Sequence, residues 1–201
     1  CIRDSLPQLD MPSLRLILRT YNIELEIYRD LQAIEEAKKA IEDIQSFLLR
    51  QEVNVPPSYL LSFWFQFAYL FFLERDYNEA LHWINLVLNK NFRDVRTDLQ
   101  LFTRWLNLMV HLELKNYFVL RYYVGSMRRF IRKKSKLEAY EQILLRFFVQ
   151  ISNLGESDFK VAFASLVARL EDELPGMVEQ WVLDYVDFMG CAKGKAGVIK
   201  F

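Results

Sequence analysis

The chain has 201 residues, 52% of them hydrophobic and 26% charged, with only 6 Gly and 5 Pro. This globular composition excludes disordered, collagen-like and low-complexity classes, and so few turn formers argue against a many-turned β-sandwich. The 26 basic and 26 acidic side chains cancel, which removes any general attraction to nucleic acid.

Helical periodicity runs through the whole sequence. A first helix is predicted over about 12–28, with Leu14, Ile17, Tyr21, Leu25 and Tyr28 on one side. A second, over about 31–48, places Leu31, Ile34, Ala37, Ile41, Ile44 and Leu48 against a charged opposite face. The third opens at Pro56-Pro57, proline being tolerated in a first turn, and runs to Glu74. Its apolar run, Tyr59 to Leu73, is fifteen residues long, short of the roughly 20 needed to cross a bilayer. Further helices are predicted at about 77–88, 95–114, 117–133, 136–152, 158–173 and 176–189, with Ser135 and Glu138 at capping-box spacing. No segment alternates polar and apolar residues for long enough to make a sheet. The expected fold class is all-α, and the short connections make successive helices antiparallel neighbours.

Charge is not spread evenly. Residues 1–92 carry 9 basic and 13 acidic side chains, 93–150 carry 12 and 5, and 151–191 carry 2 and 8. The middle stretch can therefore present a local basic face although the whole is neutral.

The sequence starts at Cys1 without a signal peptide, because Arg3 and Asp4 come at once and no apolar core follows. It reads as a fragment of a larger protein. Two cysteines, Cys1 and Cys191, can build neither a disulfide framework nor a four-ligand zinc site. They suit a reducing, cytoplasmic compartment; the alternative is a processed lipoprotein anchored through Cys1.

One segment carries a family pattern. Trp64, Phe67, Ala68 and Phe71 are followed by Asp76-Tyr77 and Glu79-Ala80, with Ile84 and Val87 beyond. This resembles a tetratricopeptide repeat, whose first helix carries an aromatic, a Leu-like residue, a small residue and an aromatic, and whose turn is Asp-Tyr before Glu-Ala. Phe92 stands where the family usually has a closing proline. A degenerate second copy places Asn116-Tyr117 forty residues after Asp76-Tyr77 and Leu120 at the place of Ala80. Forty throughout would put Arg104, Asn107 and His111 into the core, which is costly. An offset of forty-one for the first helix instead aligns Trp105, Leu108, Met109 and Leu112, and predicts a turn shorter by one residue. The resemblance implies antiparallel hairpins stacked as a tetratricopeptide-like α-solenoid. It is expected as one domain over 1–190, with its clearest repeats at about 57–90 and 94–133 and a flexible tail at 191–201. In such arrays the concave face binds ligands. Here it would carry Phe65, Tyr69 and Phe72, then Leu106 and Val110, an apolar stripe that is either a partner groove or is covered by the chain itself.

Chemistry is sparse. His82 and His111 belong to no metal motif. The stretch Gly190 to Gly197 lacks the spacing of a phosphate loop, and no strand precedes it. The run Glu171-Asp172-Glu173 reads as a solvated helix face, and Cys191 near Lys193 and Lys195 has no histidine beside it. No catalytic, cofactor-binding or metal-binding residue is assigned, and the chain is read as a non-enzyme. The strongest charge feature is Arg128, Arg129, Arg132, Lys133, Lys134 and Lys136, at a predicted helix C-terminus where cations complement the helix dipole. The same six residues can also receive an anionic partner.

The expected function is a non-catalytic protein–protein interaction scaffold, binding a protein or peptide partner or another segment of the parent protein. Two alternatives stand beside it: a regulatory domain holding nucleic acid or another polyanion through residues 128–136, and an accessory domain of an enzyme whose catalytic part lies outside this chain.

Overall fold

The computed structural model describes residues 10–50, 55–90, 95–133, 138–173 and 188–197. Among them the chain is all-helical. In order come α1 (Met11–Asp30), α2 (Ile34–Arg50), α3 (Pro57–Glu74), α4 (Tyr77–Asn89), α5 (Thr97–Glu113), α6 (Tyr117–Ile131), α7 (Ala139–Ile151), a 3-10 turn (Glu156–Asp158), α8 (Phe159–Glu173) and α9 (Phe188–Ala196). The helix predicted at 176–189 lies almost wholly outside the described residues, as does Phe92. The chain divides into two compact units, residues 1–103 and 104–201, where the sequence reading takes 1–190 as one domain; the division falls within α5.

In the first unit, Asp10 caps α1 by accepting from the Ser13 amide at 3.3 Å, and Pro12 sits in the first turn. Leu14, Leu18 and Leu25 are buried, and Tyr21 meets Phe47 of α2 edge to face at 5.5 Å. The α2 stripe is as predicted from Ala37 to Leu48, but Leu31 is the C-terminal cap of α1 and is exposed. Helix α3 is buried on nearly every side, which suits a helix that is apolar all round. Its one buried amide is satisfied: Asn22 Oδ1 accepts from Gln66 Nε2 at 2.6 Å and from Ser62 Oγ at 2.7 Å.

The α3–α4 hairpin carries the family-like residues. Phe67, Ala68, Ala80, Ile84 and Val87 are buried, and Phe67 meets the Trp83 ring at 4.9 Å. Trp64 and Phe71, expected in the same cluster, are only half-buried. Trp64 lies at its margin with the Lys90 ammonium 5.0 Å from its ring.

The turns repeat. Gln32 (φ 53°), Arg75 (φ 69°) and Lys115 (φ 57°) each adopt the left-handed conformation just before a new helix. Their amides donate to the carbonyls three residues back, Arg29, Phe72 and Leu112, at 3.0–3.1 Å. The next amides, of Ala33 and Asn116, reach back to Tyr28 and His111 at 2.9 Å. This double bond pattern closes a helix C-terminus and satisfies its last carbonyls.

The α5–α6 hairpin corrects the expected register. The left-handed Lys115 lies forty residues after Arg75, and its amide bonds Leu112 as that of Arg75 bonds Phe72, so the turn is not shortened and the offset of forty runs unbroken through the end of α5. Arg104 and Phe130 are then the counterparts of Trp64 and Lys90. They form the same cation–π contact with the partners exchanged, the guanidinium carbon 4.0 Å from the ring centre. Asn107 and His111 are buried after all. The cost is met in part by the His111 ring lying parallel to Tyr123 at 5.0 Å. Trp105, Leu108, Met109 and Leu112 are buried too, so α5 is enclosed along most of its circumference.

Elsewhere in the second unit, Trp105 stacks on Phe148 of α7 at 5.8 Å, and Phe147 meets Phe163 of α8 at 4.9 Å. Helix α7 begins three residues later than predicted. Its cap is Glu138, whose amide donates to the buried Glu141 carboxylate at 2.9 Å, and Ser135 lies outside the described residues. The expected tail from 191 is instead helical as far as Ala196. Ala192 and Ala196 give α9 a small-residue face that packs against α8, while Lys193 pairs with Glu171 and Lys195 with Glu113, each at 2.9 Å.

Candidate functional site

The proposed groove residues come first. Phe65, Tyr69 and Phe72 in α3, and Leu106 and Val110 in α5, are all buried. Phe65 stacks against Tyr69 at 6.4 Å and Tyr69 against Phe72 at 6.3 Å. All five side chains are therefore closed to solvent.

The basic segment is different. Arg128, Arg129, Arg132 and Lys133 are exposed; Lys134 and Lys136 lie outside the described residues. Helix α6 is anchored by Leu120, Val124, Met127 and Ile131, at steps of four, three and four, so the opposite arc must face water. That arc carries more than the predicted cations. Phe118 is 84% exposed and Tyr122 66% exposed, the first being the most exposed large apolar side chain described. At 100° per residue, Phe118, Arg121, Tyr122, Gly125, Arg128, Arg129, Arg132 and Lys133 fall within an arc of about 140°. Among the described residues none of the five cations makes an ion pair, and the helix itself contains no acidic side chain. Phe118, Arg121 and Tyr122 are not in the sequence reading because they stand outside the dense basic run; their helical phase relative to Arg129 and Arg132 is the signal that places them on the same arc.

At the other end of α6 the charges are balanced. Glu156 accepts from Lys115 Nζ at 2.9 Å and from the Tyr117 hydroxyl at 2.8 Å. These bonds, that of Lys115 first, hold the Glu156 carboxyl below its ordinary value. Burial, reinforced by the bond to Glu156, pushes the Tyr117 hydroxyl up to about 12.

The remaining chemistry candidates do not converge. His82 is exposed beside Trp83, and His111 is buried, its imidazole held below the ordinary value by loss of water. No group of three or more metal-ligating side chains exists among the described residues. Glu171 and Asp172 are exposed, as read from the sequence; the side chain of Glu173 lies outside the described ones. Half-buried Cys191 borders a cavity of about 20 Å³ lined also by Met109, Phe147 and Phe163. That volume admits about one water, against several hundred cubic ångströms for a metabolite site. No described helix is long and apolar enough to cross a membrane.

These observations define the class: among the described residues, an all-helical protein of packed helices, with its most exposed aromatic side chain beside unpaired cations on one helix. Compared with protein-family models, curated proteins and solved structures, the chain finds no match in any of the three.

Proposed function

We propose that this chain is a non-catalytic protein–protein interaction module built on tetratricopeptide-like hairpins. The repeated left-handed turn at Gln32, Arg75 and Lys115, and the forty-residue offset that carries a cation–π pair from α3–α4 to α5–α6, support a repeat architecture. The observation that carries the function is the outer arc of α6. Large aromatics left in water beside unpaired cations cost solubility and contribute nothing to the fold, whereas such side chains are the usual anchors of protein interfaces.

A second reading, a polyanion-binding domain using the basic end of α6, is favoured by the same five cations. It is weakened by Glu156 and Asp158, both exposed, where the aromatic end of the helix meets the start of α8. Affinity purification of the intact protein with nuclease treatment, followed by mass spectrometry, separates the two. The module reading expects stoichiometric protein partners that survive nuclease. Partners that vanish with the nucleic acid, or none at all, would sink it.

A further inference from the structure

Resting on that reading, we infer that the outer arc of α6 is the docking face for an acidic amphipathic helix of another protein, with an apolar anchor at one end and carboxylates at the other. The face is bipartite. Phe118 and Tyr122 form an apolar knob in its first turns, and Arg128, Arg129, Arg132 and Lys133 form a cationic rail in its last. At 1.5 Å per residue, about 16 Å separates Phe118 from Arg129 and about 21 Å separates it from Arg132. A partner helix of four turns can bridge the two ends, presenting Leu- or Phe-like side chains to the knob and three or four Asp or Glu to the rail.

Gly125 is an independent sign of close approach. It lies at the centre of the arc, in the middle of α6, where glycine costs about 1 kcal/mol relative to alanine. Among the described residues nothing requires it. Its backbone is helical, and a Cβ there would meet only the tip of Arg129, at an ordinary 3.7 Å. The notch it leaves between Tyr122 and Arg129 suits a neighbour that presses against the helix backbone, as small residues do at tight helix crossings.

A nucleic acid strand fits this face less well. A phosphate chain following α6 needs cations along its length, but here they are concentrated in the last turns, and Glu156 and Asp158 border the first. The aromatic end has apolar surface to offer and no net positive charge beside it.

The test uses the intact chain and four fluorescent probes. They are an amphipathic peptide of about 18 residues, with leucines in one half and glutamates in the other on a single helical face, its scramble, an oligoglutamate of equal charge, and a single-stranded oligothymidylate. The amphipathic peptide should bind about tenfold or more tighter than either peptide control. Phe118→Ala with Tyr122→Ala should reduce it to the oligoglutamate level, and Arg128→Glu with Arg129→Glu should abolish binding and its salt dependence. Gly125→Ala should melt at a higher temperature yet bind more weakly, a pairing that a purely structural glycine cannot produce.

The inference is overturned if oligoglutamate matches the amphipathic peptide, if oligothymidylate binds best, or if loss of both aromatics leaves affinity unchanged. Protein partners of the intact chain that persist through Arg128→Glu with Arg129→Glu would also overturn it, while leaving the interaction-module reading in place. Recovery of no protein partner would instead remove that reading first.

Discussion

The α3–α4 and α5–α6 hairpins use the same frame to different ends. Both second helices leave a left-handed residue and bury side chains at matching places: Ala80, Ile84 and Val87 in α4, and Leu120, Val124 and Met127 in α6. Each of these three positions in α6 is forty residues beyond its counterpart. The outer faces share nothing. Helix α4 shows Asn78, Glu79, His82, Asn85 and Asn89 to solvent, while α6 shows Phe118, Arg121, Tyr122, Arg128 and Arg129. Packing constrains the inner stripe and is indifferent to the outer one, so the outer contrast is where a difference in function is to be sought.

The first helices differ in the opposite sense. Where α3 buries the apolar Phe67, α5 buries Asn107, and the counterpart of half-buried Phe71 is buried His111. Asn107 Oδ1 and His111 Nδ1 have no hydrogen-bond partner among the described residues. At these two places the second hairpin carries a desolvation cost that the first avoids, although the first has unpartnered atoms of its own at Glu74 Oε2 and Trp83 Nε1.

Four measurements can break or sharpen this contrast. The largest effect falls on the shared core: Phe67→Ala should lower the unfolding free energy by about 3–5 kcal/mol, read by urea denaturation. Asn107→Ala, at the equivalent place, should cost far less because it also removes an unpartnered polar atom. Equal losses at the two sites would show that the hairpins are not energetically distinct.

Next is pH. Because burial holds the His111 imidazole below 6.5 in the folded chain, the unfolded state takes up the proton first as pH falls. His111 is neutral in both states above 6.5, so its stabilising contribution is complete there and declines as pH drops towards the lowered folded value. The slope is at most about 1.4 kcal/mol per pH unit. A urea midpoint series from pH 7.5 to 5 should be flatter for His111→Phe than for the native chain; parallel curves would show that the imidazole is not desolvated.

Smaller again is the difference between the two caps. Asp76 accepts from the Glu79 amide at 3.1 Å, whereas the Asn116 side chain makes no capping bond. Asp76→Ala should cost about 1 kcal/mol, and thermal melts of Asn116→Ala should shift by clearly less. Equal shifts would show that the equivalence of the two turns extends to their caps.

Smallest on stability are the outer faces. Phe118→Ala with Tyr122→Ala, and Asn78→Ala with His82→Ala, should each change unfolding by no more than about 0.5 kcal/mol. Only the first pair should reduce capture of partners in pull-downs from lysate. A large destabilisation by the first pair would mean that the α6 aromatics serve the fold.

The helices themselves were legible in the sequence because period-3.6 patterning and turn residues act locally. Prolines at 12 and 57 and the buried stripes of α2 and α4 read directly, and of the α6 stripe Leu120 did. Where one helix is enclosed on several sides the pattern loses its phase. Helix α3 has apolar residues all round, so periodicity alone did not decide that Phe65 and Phe72 go inside while Trp64 and Phe71 stay at the margin.

The register of α5 was misread for a related reason. Burying Asn107 and His111 is costly in isolation, and only the turn at Lys115, the Tyr123 ring beside His111 and the Phe130 ring under Arg104 show how that cost is carried. Helix α9 likewise depended on its neighbour, since glycine and lysine disfavour a helix that no α8 surface supports. The sequence by itself determined that this chain is helical, where most helices begin, and which stripe of α2 and α4 turns inward. Only the tertiary structure decided the forty-residue register, the closing of the Phe65 stripe and the outward arc of Phe118, Tyr122 and the arginines, because burial is set by the elements that surround a side chain and not by its sequence neighbours.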